Sequence, residues 1–434
     1  MKKYDLSKIT KKLNLSSKFN KIDVVKNKRK LILIRNIFNK NKKAIIESII
    51  KDVGKSKKDA ENEFKGSLDI WNYVIKNMNS IPKNKKIKFN KTDKGEITYK
   101  PIGLVAFITP WNYPFLTLSE RLPFCLATGS TAIIKQSEYS KNFKNILFKI
   151  FNKKRYLTNT LHILRNTNYK TGITLCSDEN ISAISFIGST ETGKKIVMQT
   201  SSTLKKTYLE LGGKNAAIVT KKANLKLSVD EIIKGIFENG GQACVGISRL
   251  VLNKNIVKNF LKLLLYEIEK IHKKKKFFIQ KPANVQQRKK VLDLIKFINK
   301  NYKNKIFKKF NLGSEKYTPI FLKPNNNDKY FTNKEFFFPI ITVETFDKLD
   351  DAIKINNQSK YGLAAYIFTE DKHEFKIISN ELNSGRIWHN SSLVWNPSLP
   401  VGGFNLSGQD RDMGQKGFEN YITSKSIYNR KVYI

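Results

Sequence analysis

Residues 183–195 read Ala183-Ile184-Ser185-Phe186-Ile187-Gly188-Ser189-Thr190-Glu191-Thr192-Gly193-Lys194-Lys195. The apolar run Ala183–Ile187 predicts a buried strand, and Gly188-Ser189 opens a helix behind it. Small residues and free amides at a helix N-terminus attract an anion, because the dipole and the unpaired N–H groups point the same way. The string nearly matches the phosphate-cradling pattern GxxxxGK[ST], but Lys195 stands where a hydroxyl would hold Mg²⁺, and it departs from GxGxxG as well. A pyrophosphate held without a metal and an ordinary strand-to-helix turn both satisfy these residues.

Around this stretch, apolar runs alternate with helical segments from Gly103 to Val219. The predicted strands are Gly103–Ile108, Thr131–Lys135, Thr171–Leu175, Ala183–Ile187 and Ala216–Thr220, and such alternation predicts βαβ units on a parallel sheet. Residues 1–80 read as helical, with Leu31, Ile34, Ile37 and Phe38 at helical spacing. Asp93-Lys94-Gly95 reads as the turn of a hairpin between Lys86–Phe89 and Glu96–Tyr99. A helix carrying Val229, Ile232, Ile233, Ile236 and Phe237 leads into Gly240-Gly241. Residues 273–327, basic and weakly patterned, read as variable surface.

The chain has 434 residues, which at roughly 100–200 residues per domain allows two or three domains. Hydrophobic residues make up 40%, a globular composition. No apolar stretch approaches the ~18 residues of a membrane span, and the basic start lacks the apolar core of a secretory leader. Three cysteines make no disulfide framework and fit a cytoplasmic setting. No metal-ligand spacing is present. The 81 basic residues against 36 acidic ones give a net charge of +45. Lysines are scattered along the whole chain with no long basic tail or nucleic-acid motif, so the charge reads as solvated faces that adhere weakly to polyanions.

Three further strings carry chemistry. Cys244, in Asn239-Gly240-Gly241-Gln242-Ala243-Cys244, follows an amphipathic helix in a glycine-flexible turn that presents a thiol instead of packing it. Cys125 lies in an apolar segment and Cys176 ends a predicted strand, so both read as packing. Glu210, in Leu209-Glu210-Leu211-Gly212-Gly213-Lys214, is either a general base raised by burial or a carboxylate paired with Lys214. In Thr109-Pro110-Trp111-Asn112-Tyr113-Pro114, two prolines fix a loop at a strand's carboxyl end, where the Asn112 amide can donate to an oxyanion.

Taken jointly and in this order, these strings resemble the aldehyde dehydrogenase superfamily from about Lys28 to Lys425. The match continues through Lys135-Gln136-Ser137-Glu138, Glu335-Phe336-Phe337-Phe338-Pro339, Asn357 with Tyr361-Gly362-Leu363, and Pro400-Val401-Gly402-Gly403-Phe404 with Ser407-Gly408. The resemblance implies an α/β fold of two doubly wound Rossmann-like domains plus a small oligomerisation sheet. A dinucleotide-binding domain would span 1–85 and 100–211, a catalytic domain 212–405, and a bridging sheet 86–99 and 415–434. A homodimer or homotetramer follows from the exposed edges of such a sheet.

By the same resemblance Cys244 is the nucleophile, Glu210 the base and Asn112 the oxyanion donor. Trp111, Lys135, Ser137, Glu138, Gly188, Ser189, Gly193, Leu211, Glu335 and Phe337 would hold the cofactor, with Glu335 on the nicotinamide ribose and Phe337 near that ring. Retention of Glu210 favours hydrolysis over transfer to coenzyme A. Glu138 favours NAD, since a carboxylate accepts from a 2′-hydroxyl and repels a 2′-phosphate, while NADP stays open because Lys135 and the positive field pull the other way. The family pattern departs at Phe338, which replaces a glycine, and at Asp410 and Asp412, which replace a glycine and a glutamate; Asp412 can still support the site from behind. Trp111, Tyr113, Phe115, Trp395 and Phe404 would line an entrance suited to a hydrophobic or a cationic aldehyde. Arg121 and Arg386 would bind a carboxylated substrate or lie on the surface. The alternative function is an inactive basic dehydrogenase scaffold that binds polyanions.

Overall fold

The computed structural model describes residues 3–18, 20–90, 93–152, 154, 157–273, 281–310, 317–325 and 328–430. Two parallel sheets organise the chain. The first has the order β5-β4-β3-β6-β7, with β3 Leu104–Ile108, β4 Thr131–Lys135, β5 Leu161–Ile163, β6 Ala183–Ile187 and β7 Lys206–Glu210. Strands β3, β4 and β6 are buried at every residue, which is why they read as continuous apolar runs. The strand order reverses between β3 and β6, so a crevice opens beyond their carboxyl ends.

The second sheet has the order β10-β11-β12-β9-β8-β14-β15. Its strands are β8 Asn215–Val219, β9 Ile247–Asn253, β10 Ile306–Lys309, β11 Ile320–Leu322, β12 Ile340–Phe346, β14 Ala364–Phe368 and β15 Arg386–His389. All neighbours are parallel except β10 with β11. A third sheet joins β1 Lys85–Lys88, β2 Asp93–Pro101 and β17 Ile422–Arg430, and a two-residue pair joins β13 Tyr361–Gly362 to β16 Phe404–Asn405.

The amino-terminal helices Val24–Lys40, Lys42–Val53 and Lys57–Lys76 pack Leu31, Ile34, Phe38, Ile45, Ile49 and Trp71 onto one face of the first sheet. Each presents its apolar residues at helical spacing, and Asp23 and Ser56 cap two of them.

Three local expectations are corrected. Thr171–Leu175 is not a strand: it lies in the helix Tyr169–Ser177, capped by Asn168, whose side chain accepts from Thr171 N at 2.9 Å. The third strand of that sheet is the short Leu161–Ile163, and Cys176 is therefore a buried helix residue. Asp93-Lys94-Gly95 is the start of β2, with Gly95 opposite Ile87, so the chain reverses before it. Within 273–327 the described residues include the helix Val285–Asn301 and both β10 and β11, which extend the second sheet; residues 274–280, 311–316 and 326–327 lie outside the described ones.

Candidate active site

The two sheets meet across a cleft of about 1600 Å³. The first sheet faces it with carboxyl ends: β3 runs into Thr109–Asn112, β4 ends at Lys135, β6 runs into Gly188-Ser189, and β7 ends at Glu210. The second sheet faces it with amino ends. Cys244 lies just before β9, Glu335 before β12, and Arg386 begins β15.

Cys244 sits on a sharply coiled loop. After the helix Leu225–Phe237, Asn239, Gly240 and Gly241 all take left-handed angles, at φ 49°, 67° and 76°. At Gly241 a Cβ would lie 2.5 Å from Pro339 Cδ, so neither the angle nor the space admits a side chain. The loop is fastened from inside. Asn239 Nδ2 donates to Asn112 O at 3.0 Å, and Gln242 Nε2 donates to Asn239 O at 3.0 Å.

The thiol of Cys244 donates to Glu210 Oε1 at 3.6 Å. Burial, and next the negative charge of Glu210, push the thiol well above its ordinary range. Glu210 is itself buried, and its Oε2 has no hydrogen-bond partner among the described residues. Its companion is Arg386, whose Nη2 reaches Oε1 at 3.3 Å. Lys214 is not that companion: its ammonium lies 3.8 Å from the centre of the Phe336 ring, and burial lowers it to about 7. Asn112 Nδ2 donates to Gln242 O at 2.9 Å and so crosses from one sheet's loop to the other's. One of its two N–H groups is thereby committed; the other remains for a ligand.

The cofactor candidates gather on the other part of the cleft. Ser189 caps the helix Thr190–Thr200, accepting from Thr192 N at 3.3 Å, with Gly188 just before it. Gly193 lies where a Cβ would stand 2.6 Å from Leu211 Cδ2, so this helix packs closely on the chain leaving β7. Lys135 is buried, with its stem against Gly172, and its ammonium makes no hydrogen bond or ion pair among the described residues. Glu138 is exposed at the rim, and Ser137 Oγ accepts from Tyr139 N at 3.2 Å. Glu335 is buried and accepts from Gly213 N at 3.0 Å; burial raises its carboxyl to about 7. Phe337 meets Trp111 edge to face at 5.7 Å. A capped helix N-terminus, a buried cation without a partner and an aromatic pair suit a dinucleotide's anionic and ring portions.

Several expectations change here. Phe338, at the position where the family pattern has glycine, takes no left-handed angle and is buried in an aromatic cluster; that angle falls on Phe337 (φ 54°). Phe115 is fully buried among Phe38, Phe64 and Phe143, and Phe404 is exposed under Arg411, so neither lines the cleft; Trp111, Tyr113 and Trp395 do. Neither arginine is on the surface. Arg121 is locked by Asp412, Ser185 Oγ and Tyr208 O, and burial raises the Asp412 carboxyl to about 6 against the pull of Arg121. Arg386 lies over the Trp395 ring at 5.7 Å.

Sequence reading missed Glu120 and Glu238. Both line the cleft, and Glu238 accepts from the Tyr113 hydroxyl. The signal for Glu120 was a charged pair, Glu120-Arg121, inside the apolar run Phe115–Leu126. Among the described residues no cluster of metal-ligand type is present, and no helix is long and apolar enough to cross a membrane.

The profile of the aldehyde dehydrogenase family matches residues 8–427. Betaine aldehyde dehydrogenase of Bacillus subtilis (strain 168) is 29% identical over 356 residues, covering 77% of this chain and 70% of that one. Aldehyde dehydrogenase (NAD(P)+) 1 of Saccharomyces cerevisiae is 30% identical over 347 residues, covering 76% and 68%. Among solved structures, NAD-dependent aldehyde dehydrogenase from Sinorhizobium meliloti superposes with a TM-score of 0.91 at 23% identity, covering 100% of this chain and 88% of that one. Betaine aldehyde dehydrogenase from Staphylococcus aureus in complex with NAD+ gives a TM-score of 0.90 at 23% identity, covering 100% and 88%. At such identities the structural likeness shows the fold.

Proposed function

The chain belongs to the aldehyde dehydrogenase family and is an NAD(P)-dependent oxidoreductase of that family, and from this premise we propose that it oxidises an aldehyde to a carboxylic acid through a covalent thioester on Cys244. The contact between the Cys244 thiol and Glu210 Oε1, at 3.6 Å inside the cleft, carries the reading.

The Cys244 thiol first gives up its proton to solvent. Sulfur then attacks the carbonyl carbon, and the carbonyl electron pair moves to oxygen. The free N–H of Asn112 Nδ2 and the Cys244 backbone amide hold that oxyanion. A bound NAD(P)⁺ would supply the hydride acceptor; as the oxyanion re-forms its carbonyl and hydride leaves the carbon, a thioester remains on Cys244. Glu210 next takes a proton from water; the new C–O bond forms, the C–S bond breaks and the thiolate leaves. Arg386 holds the Glu210 carboxylate between these steps.

Lys135, Ser137, Glu138, Gly188, Ser189, Gly193 and Leu211 would hold the adenosine and pyrophosphate portions, and Trp111, Glu335 and Phe337 the nicotinamide side. NAD is the favoured cofactor because Glu138 stands at the rim beside Lys135, with NADP also accepted. We further assign residues 1–85 and 100–211 to the dinucleotide domain, 212–405 to the catalytic domain, and 86–99 with 415–434 to a sheet that joins a homodimer or homotetramer. The free state of Cys125, Cys176 and Cys244 suits a reducing cytoplasm.

Incubation with NAD and a panel of aldehydes tests the reading by the absorbance of NADH. Cys244→Ser abolishes the signal, while Glu210→Gln gives one burst of NADH and then stalls. Polyanion binding with a steep salt slope and no NADH from any aldehyde would favour the inactive basic scaffold instead.

A further inference from the structure

Outside the dinucleotide side, the cleft is acidic in a chain whose net charge is +45. Asp59, Glu63, Glu120, Glu210 and Glu238 line it, against Lys55 and Arg386 as the cations of that part. Nearly every one of these charges is already matched. Lys55 Nζ pairs with Glu63 at 2.6 Å and rests on the Tyr113 ring; Arg386 pairs with Glu210; the Tyr113 hydroxyl donates to Glu238; Ser56 Oγ donates to Asp59 at 2.6 Å. Next to Glu120, Arg121 is spent on Asp412, Ser185 and Tyr208.

Glu120 is the exception. It is 5% exposed, it lines the cleft, and its carboxyl makes no hydrogen bond or ion pair among the described residues. A buried carboxyl without a donor is costly, so its place in the cleft wall calls for a ligand that supplies one. A carboxylate-bearing substrate would meet Glu120 and find both arginines committed. A plain alkyl chain would leave the carboxyl unmatched. An ammonium brings charge and three N–H donors; the aromatic rings of Tyr113, Trp388 and Trp395 also line the cleft, each with one face already taken, by Lys55, Tyr366 and Arg386.

We propose that Glu120 selects aldehydes that carry a protonated amine, its carboxylate receiving the ammonium while Cys244 takes the carbonyl. This rests on the reading of Cys244 as the nucleophile and names the substrate class of that same site. The resting carboxyl fits the role. Burial first, and Glu210 and Asp412 next, raise it to about 8, while Arg386 and Arg121 oppose the rise. An arriving ammonium stabilises the ionised form, so preference for the amine strengthens as pH rises through about 8 and fades where the amine itself loses its proton.

Three substrates of similar size test this: 3-aminopropanal, its methyl isostere butanal, and an aldehyde ending in a carboxylate. The wild-type chain is expected to favour 3-aminopropanal over butanal by about tenfold or more in kcat/KM, to reject the carboxylate, and to widen the ratio between pH 7 and 8.5. Glu120→Gln collapses the ratio and its pH dependence, and Glu120→Asp keeps a preference for the amine. A preference for butanal or the carboxylate, or a ratio unchanged in Glu120→Gln, overturns the proposal.

A second arm needs no turnover: n-propylammonium, against n-propanol, is tested for slowing the alkylation of Cys244, read by peptide mass. Protection by the ammonium that Glu120→Gln loses supports the site; equal protection by both probes, or none, overturns it. Absence of NADH with every aldehyde would sink the dehydrogenase reading alone, since this arm still reports on Glu120.

Discussion

The two sheets present opposite ends to one cleft. The first offers the carboxyl ends of β3, β4, β6 and β7, and its cleft-lining groups end a strand or follow one closely: Lys135 and Glu210, and Asn112 and Ser189. The second offers amino ends, and Cys244, Glu335 and Arg386 lie at or just before the strands. The rule that α/β sites lie beyond carboxyl ends locates the first set and is blind to the second. The second set depends on loops held in shape by left-handed residues, buried amides and close glycine contacts. The proposed cofactor groups, on regular turns, should tolerate local change better than Cys244, the proposed nucleophile, on its coiled loop.

Asn112→Ala would break the comparison most severely, because Asn112 belongs to one sheet's loop and ties down the other's. It removes the proposed oxyanion donor and the bond to Gln242 O together, and kcat is expected to fall by about 10²–10³-fold in steady-state assays. Gly241→Ala acts on the amino-end side alone. The φ of 76° and the 2.5 Å approach to Pro339 displace the loop that carries Cys244, so kcat falls by about a hundredfold while cofactor affinity by calorimetry changes little. An equal loss of cofactor affinity would show that the two sides are not separable.

Gly193→Ala is the counterpart on the carboxyl-end side. Its Cβ presses on Leu211, costing about 1–3 kcal/mol of stability by thermal or denaturant unfolding and raising KM for the cofactor, with single-turnover rate at saturating cofactor retained. A smaller effect sharpens the electrostatics. Glu210 raises the Cys244 thiol and Arg386 lowers it, so Glu210→Gln should make alkylation at pH 8 a few-fold faster and Arg386→Met a few-fold slower. In each variant, alkylation quickens as pH rises toward the thiol's own value.

Much of this was legible because it is local. Ala183–Ile187 with Gly188-Ser189 carries its strand, turn and helix cap within a few residues, and Thr131–Lys135 its burial on both faces. Thr171–Leu175 misled because its apolar residues suit a strand as well as a helix, and the deciding cap, Asn168, lies outside the run. Lys214 beside Glu210 looked like its partner, yet adjacency along a chain does not place two side chains together; β7 and β8 belong to different sheets, and Lys214 turns to Phe336.

By itself the sequence determined the buried strands Leu104–Ile108, Thr131–Lys135 and Ala183–Ile187, the glycine turn before Cys244, and which thiol and carboxylate stand beside glycines, since periodicity and backbone freedom act over a few residues. Only the tertiary structure decided that Arg386, 176 residues away, is the partner of Glu210, that Arg121 is spent on Asp412, and that Glu120 is left facing the cleft. Charges buried together are matched through space, and that matching is fixed by how two sheets are set against each other.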